Sequence, residues 1–318
     1  MKKMIALILA VLMLLMMTAC GSKSADDGKF TIGICQLVTH DALDAATNGF
    51  MQAVKDKLGE ENVTFDLQNA AGDANTCASI ANAFVAAEVD LIMANATPAL
   101  QAAQAATADI PILGTSVTEY GVALDIQNFT GTVGGNVSGT SDLAPLAEQA
   151  AMLIEWFPEA KNVALIYCSA EPNSTYQVNT IEELLKAEGL SCQLTPFADS
   201  NDMQAVVNEA CNFADVIYVP TDNAVASSVE IIDSICRAAG VPVIAGEEGI
   251  CAGCGVATLS ISYYDLGYAT GEMAAAILKG EADISTMEIK YAPATKKYNA
   301  EICADLGLTA PEGYVAIG

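Results

Sequence analysis

Asp90-Leu-Ile-Met-Ala-Asn-Ala-Thr97 and Asp215-Val-Ile-Tyr-Val-Pro-Thr-Asp222 can be laid on one another: an aspartate, four apolar residues and a short tail that turns polar. Short apolar runs bounded by polar residues mark strands buried on both faces. Ile110-Pro-Ile-Leu-Gly and Val241-Pro-Val-Ile-Ala match in the same way, at a nearly constant offset. One such match would carry little, because buried parallel strands look alike. Two, in the same element order, point to a duplicated lobe.

Working outward, the first copy reads as strand Phe30 to Gln36, a helix from His40-Asp41 through Phe50 and Val54, strand Val63 to Leu67 and helix Asn75 to Ala87. Strand Asp90 to Ala94, helix Pro98 to Ala106 and strand Ile110 to Leu113 follow. After a Gly/Ser/Thr-rich stretch, Gly131 to Asp142, and a helix to Phe157, the pattern restarts at strand Val163 to Tyr167. Helix Thr175 to Glu188, strand Leu190 to Thr195, helix Asp202 to Phe213, strand Val216 to Val219, helix Ala224 to Ala239 and strand Val241 to Ala245 complete the second copy. Strands alternating with helices imply right-handed βαβ units and a parallel sheet covered by helices. The fold class is therefore α/β, two doubly wound parallel-sheet lobes with a cleft between them. Strand Val256 to Ile261, helix Asp265 to Leu278, strand Glu288 to Tyr291 and a short helix from Asn299 are left over, enough for the chain to return to the first lobe. The expected division is 29–138 with about 264–292 for lobe one, and 139–263 with about 293–318 for lobe two.

Lys2 and Lys3, the apolar run Met4 to Met17 and the small residues Thr18 and Ala19 before Cys20 follow the grammar of a secretory signal. The run is short for a transmembrane helix, which needs about 20 apolar residues. Residues 1–19 are thus expected as a signal peptide and 20–28 as a flexible polar tether. Hydrophobic residues make up 53% and charged residues 16%, which excludes a disordered class. A net charge of −26 repels phosphate backbones, so nucleic acid is not an expected partner.

Of the ten cysteines, Cys35, Cys77, Cys168, Cys211 and Cys236 sit in apolar runs, where cysteine behaves as a small hydrophobe. Cys251-Ala-Gly-Cys254, read as part of a Gly-containing loop, is spaced like a redox or half-metal motif. A local reactive pair and two incidental thiols both fit.

Ligands of open parallel sheets bind beyond the carboxyl ends of the strands. That rule selects Gln36-Leu-Val-Thr-His-Asp41, Asn95-Ala-Thr97 and Thr115-Ser-Val-Thr118 in lobe one, and Ser169 to Ser174, Thr221-Asp222-Asn223 and Gly246-Glu247-Glu248 in lobe two. All are rich in hydroxyls, amides or carboxylates. His40 is the only histidine and Arg237 the only arginine, so catalytic relays have little to draw on and a zinc site of several imidazoles is impossible. No GxxxxGK[ST] or GxGxxG follows a strand, and no metal or cofactor is expected. A ligand carboxylate would fall to helix N-termini and hydroxyls such as Thr97, Ser116 and Thr118. Asp222, Glu247 and Glu248 would suit an ammonium, so the loops together suit a zwitterion.

At these loops the chain resembles a known family. Ile34-Cys-Gln-Leu-Val-Thr-His-Asp-Ala-Leu-Asp-Ala-Ala, Asn95-Ala-Thr-Pro-Ala, Gly139-Thr-Ser-Asp142, Asn173-Ser174 and Thr221-Asp-Asn223 are similar to the ABC-transporter substrate-binding proteins that include tryptophan- and tyrosine-binding lipoproteins. The resemblance covers nearly all of the chain beyond Cys20, and Met17-Thr18-Ala19-Cys20 resembles a lipobox. It implies a type I periplasmic-binding fold, no enzymatic activity, and an extracellular monomer anchored to the membrane by a lipid on Cys20. The implied partners are a permease with its ATPase, and the implied ligand is an aromatic amino acid. The strand-end loops and this resemblance together give as expected ligand residues Gln36, Leu37, Asp41, Ala96, Thr97, Ser116, Val117, Thr118, Ser141, Asp142, Asn173, Ser174, Asp222, Asn223 and Glu247. Cys35 and the Cys251/Cys254 segment depart from the family pattern. A sugar or nucleoside receptor of the same fold, and a thiol-dependent extracellular enzyme using Cys251 and Cys254, are the rival readings.

Overall fold

The computed structural model describes residues 29–317. The expected signal peptide, Cys20 and its tether lie outside the described residues, among which no helix is long and apolar enough to cross a membrane. The strands are β1 (Phe30–Gln36), β2 (Val63–Asn69), β3 (Leu91–Asn95), β4 (Ile112–Val117), β5 (Val137–Ser141), β6 (Asn162–Cys168), β7 (Ser191–Phe197), β8 (Val216–Val219), β9 (Val243–Ala245), β10 (Ala257–Ser260), β11 (Lys290–Tyr291), β12 (Thr295–Tyr298) and β13 (Val315–Ala316). They form a six-stranded sheet in the order β11-β5-β4-β3-β1-β2 and a seven-stranded sheet in the order β13-β12-β10-β9-β8-β6-β7. Pairing is parallel except between β10 and β12.

Alternation along β1 explains why each sheet is covered twice. Ile32 and Ile34 enter one core with Phe50, Leu113 and Met273, while Cys35 enters another with Phe84, Leu100 and Tyr120. Each isoleucine is fully buried, which contributes about 2 kcal/mol apiece. The helix Asp41–Leu58 begins with Asp41 and Asp44 in its first turn and ends with Lys55 and Lys57 in its last, both complementing the helix dipole. Its partner in packing is the helix Tyr263–Leu278, which belongs to the first lobe although it follows β10 of the second. The chain thus passes between sheets after β5, after β10 and after β11.

Some expectations need correction. The division at 138/139 falls inside β5, which pairs with β4 throughout, so the chain leaves the first sheet only after Ser141. The expected helix Ala224 to Ala239 is broken into Asn223–Ala226, capped by Asp222, and Val229–Ala239, with Ser227 and Ser228 between them. The Cys251/Cys254 segment is not a loop but the helix Glu248–Cys254, made possible by the Glu247 carboxylate accepting from Gly249 and Ile250 at its first turn.

Candidate functional site

The turn after β3 and the end of β4 carry strained backbone. Ala96 has φ 91° and ψ 159°, a region natural to glycine, and Ser116 has φ 54°. Such conformations persist where the surroundings over-determine them, and they cluster at ligand sites. At Ala96 the cause is visible: its N–H is held by the carbonyl of Thr115 at 3.0 Å, while its own carbonyl starts the helix Thr97–Ala106. The turn places that helix's N-terminus at the carboxyl end of β3. Thr97 Oγ1, Ser116 Oγ and Asn95 Oδ1 are buried there with no hydrogen-bond partner within the chain.

Gln36 has a different role from its neighbours. Its amide nitrogen donates to Asp44 at 2.6 Å and to the carbonyl of Val38 at 2.8 Å, and its oxygen accepts from Thr47 at 2.7 Å. It braces the loop from β1 into the helix. Leu37 is core, Asp41 is exposed at the helix start, and Val117 is buried with its carbonyl accepting from the Asp142 N–H at 3.3 Å. Ser141 is engaged too, donating to the carbonyl of Thr118 at 2.7 Å and accepting from the Leu143 N–H at 3.1 Å.

Asp142 stands where the chain leaves lobe one. Its Oδ2 accepts from the Tyr263 hydroxyl at 3.0 Å, and its Oδ1 is buried without a partner in the chain. Burial pushes its pKa up to about 6, against the neighbouring Thr118 and Tyr263 hydroxyls.

In lobe two, Glu171 organises the site. Its carboxylate accepts from the Asn223 amide at 2.7 Å, the Asn223 N–H at 3.2 Å, the Ala224 N–H at 2.9 Å and the Asn173 amide at 3.2 Å. Asp222 accepts from the N–H groups of Cys168 at 2.7 Å and Val225 at 2.9 Å. Ser174 is buried beside it, and Asn173 Oδ1 is buried and unpartnered. Desolvation raises the pKa of Glu171 to about 7, with Asp222 adding repulsion. It also raises that of Asp222, and that of Glu247 to about 7.

The two lobes meet over this set. His40, Leu43, Asp142, Thr221, Asp222, Asn223, Ala226, Glu247 and Tyr263 surround a cavity of about 10 Å³. His40 Nε2 lies 3.3 Å from Asn223 Oδ1, across the cleft. A wider groove of about 450 Å³ runs outward past Asp41, Glu248, Tyr264 and Lys297, where Lys297 is paired with Glu248. Three buried carboxylates, Asp142, Asp222 and Glu247, line the inner cavity, and among the described residues no lysine or arginine lines it. A buried charge needs a partner, so the arrangement favours a cationic group entering between the lobes.

His40 and Glu171 are not among the ligand residues expected from sequence; of the tyrosines near loops or strand ends that sequence offers to stack on a ring (Tyr120, Tyr176, Tyr263 and Tyr264), Tyr263 is the one that lines the inner cavity. Glu171 lies within the Ser169 to Ser174 loop already picked out, and its carboxyl group in an otherwise hydroxyl- and amide-bearing turn was the available signal. The other tyrosines differ. Tyr120 is a core residue stacked on Phe129, with its hydroxyl donated to the carbonyl of Thr140. Trp156 packs edge-on against Tyr314 in the second core, 5.3 Å between centroids.

Residues 31–316 match the family model described as ABC transporter substrate binding protein. The chain is 37% identical over 298 residues to a tyrosine-binding protein of Clostridioides difficile (strain R20291), covering 88% of this chain and 85% of that one. Among solved structures, a domain from Streptococcus pneumonia in complex with L-Trp is 28% identical, with a TM-score of 0.86 over 91% of this chain and 100% of that one. A ligand-free, open substrate binding protein with adhesive properties from Clostridium difficile is 38% identical, with a TM-score of 0.70 over 91% and 99%. The relative nearer in sequence is the farther in shape. With both lobes' site loops buried, the lobes stand nearer the arrangement of the tryptophan complex than that of the open chain. The chain belongs to the ABC transporter substrate binding protein family, and is a receptor for a small solute rather than an enzyme.

Proposed function

We propose that this receptor is exported, held outside the cytoplasmic membrane by a lipid on Cys20, and captures an aromatic amino acid by closing its lobes, for release to a permease driven by its ATPase. The observation that carries the reading is the set of buried polar atoms left unpartnered on both sides of the cleft, Thr97 Oγ1, Ser116 Oγ, Asp142 Oδ1 and Asn173 Oδ1. A buried polar group without a partner costs about 1–3 kcal/mol, and a bound zwitterion would supply the missing partners. The hydroxyls of Thr97 and Ser116, with the helix N-terminus at Thr97, suit its carboxylate. Asp142 suits its ammonium better than Asp222 or Glu247, whose oxygens already serve N–H groups. Leu43, Tyr263 and Ala226 supply apolar wall for a ring. The tyrosine and tryptophan named for the relatives motivate the choice of ring.

Thermal denaturation of the chain from Gly21 onward, against the twenty amino acids, common sugars and nucleosides, tests this directly. Tyrosine, tryptophan or phenylalanine should raise the midpoint, since a hundredfold excess over the dissociation constant stabilises by about 2.7 kcal/mol. A midpoint moved by a sugar or nucleoside and by none of these three overturns the assignment.

A further inference from the structure

The motif that looks redox-active in sequence is not the place where the fold prepares sulfur chemistry. Cys251 and Cys254 are buried in the helix Glu248–Cys254, where desolvation raises both thiols and the Cys254 sulfur donates to the carbonyl of Ile250 at 3.3 Å. Two other cysteines, 25 positions apart in sequence (236 − 211), are brought together instead. Cys211 lies near the end of the helix Ser200–Phe213 and Cys236 in the helix Val229–Ala239, and their sulfurs are 3.7 Å apart. We propose that Cys211 and Cys236 form a disulfide that staples these two helices over one face of the second sheet once the chain meets a low-molecular-weight disulfide.

Geometry makes the pair selective. A disulfide needs sulfurs about 2.05 Å apart, so the two sulfurs must close in from 3.7 Å. Among the described residues only Cys192 and Cys211 are partly accessible; Cys35, Cys77, Cys168, Cys236, Cys251, Cys254 and Cys303 are buried. Cys211 therefore combines access with a close partner sulfur. Cys35 and Cys77 also face each other, but both are fully buried and an oxidant cannot reach either.

The reaction balances in two exchanges. The Cys211 thiolate attacks one sulfur of the small disulfide, forms a mixed disulfide and expels a thiolate. The Cys236 thiolate then attacks the Cys211 sulfur and expels the second small thiolate. Two protein thiols have lost two protons and two electrons, and the small disulfide has been reduced to two thiols. Burial raises both protein thiols, that of Cys236 also through its neighbour Cys211. Exchange is therefore slow at neutral pH and quickens as pH rises. The staple lies within one lobe, so closure stays free.

The test uses the purified chain, so it stands apart from any reading of ligand or export. After incubation with oxidised glutathione and capping of remaining thiols, cleavage after glutamates yields peptides 189–209, 210–230 and 231–247, each with one of Cys192, Cys211 and Cys236. The expected product is 210–230 joined to 231–247, about 2 Da lighter than the two reduced peptides together, with Cys192 unjoined to either. The thermal midpoint should rise by a few degrees and fall back on reduction. In C211S the joined pair should vanish with the reduced midpoint unchanged, and C236A, if it folds, should leave Cys211 as a stable glutathione adduct. A glutathione adduct on Cys211 that persists in the unsubstituted chain, a bond from Cys211 to any other cysteine, or reduced thiols at both positions overturns the proposal.

Discussion

At Asp142 two effects oppose each other: burial favours the protonated acid, while a bound ammonium would favour the carboxylate. With its pKa pushed to about 6, and those of Glu171 and Glu247 to about 7, the closed cleft holds protons that a cationic group must displace. Affinity for an amino acid should therefore rise with pH from about 5.5 to about 7.5, at most tenfold per unit for each proton released, and level off above. Calorimetric titration in buffers of different ionisation heat measures both numbers, and an affinity constant across that range would remove the carboxylates from the binding step. For folding without ligand the sign reverses. These carboxyl groups hold protons in the native chain that they lose when unfolded, so their contribution is full at about pH 4 and lost as pH rises to about 7. Ala96 gives a second residue-scale prediction, since its φ of 91° is tolerated far better by glycine. Ala96→Gly should stabilise the fold by about 1 kcal/mol, read from urea denaturation, and a loss of stability would mean that the turn is not strained.

At the scale of elements, the helices Asp41–Leu58 and Tyr263–Leu278 touch backbone to backbone because glycines line the crossing. A Cβ on Gly267 would overlap the carbonyl oxygen of Ala46, and one on Gly49 that of Tyr264. Overpacking of this kind costs about 1–3 kcal/mol, so Gly267→Ala should lower the denaturation midpoint by several degrees, where Gly280→Ala, at a helix end in open space, tests only its positive φ. This crossing joins segments more than 200 positions apart, and nothing in local pattern announces it. What local pattern did announce were the apolar strands: β1 and β8 stand where their composition put them. The polar strand β5 did not show itself. Val137-Ser-Gly-Thr-Ser141 is buried because its hydroxyls find tertiary partners, Thr140 with Thr115 and Thr270, Ser138 with the carbonyl of Met287. Strand β12, Thr295-Lys-Lys-Tyr298, is an added antiparallel neighbour whose two charges, Lys296 and Lys297, are paired with Glu155 and Glu248. The helix around Cys251 was hidden by its glycines, and only the Glu247 cap makes it start. The site loops were legible because the topology places them; the engagement of Gln36 and Ser141 within lobe one was not, because it depends on partners far off in sequence.

For the whole molecule the question is what holds the lobes together before a ligand arrives and what the ligand must add. The approach of His40 to Asn223 at 3.3 Å links the first turn after β1 to the loop after β8 through side chains, in addition to the three crossings of the chain. Asn223 is in turn fixed by the buried Glu171, so the contact is made to a rigid point. Burial lowers the pKa of His40 despite Asp44 and Asp41 nearby, and a neutral imidazole can share a hydrogen with the Asn223 amide without bringing a charge into the cleft. A hydrogen bond of this kind contributes about 1 kcal/mol, and in a two-lobed receptor it acts by raising the fraction of closed chain. The apparent dissociation constant scales inversely with that fraction. His40→Ala should therefore weaken binding several-fold, mainly by faster dissociation, while leaving denaturation of the separate lobes nearly unchanged. Stopped-flow displacement and small-angle scattering read the two halves of this statement. The variant should be more extended than the parent without ligand and equally compact when saturated. If dissociation and unliganded dimensions are both unaltered, the latch does not bear on closure, and the buried carboxylates with their ligand close the lobes without it.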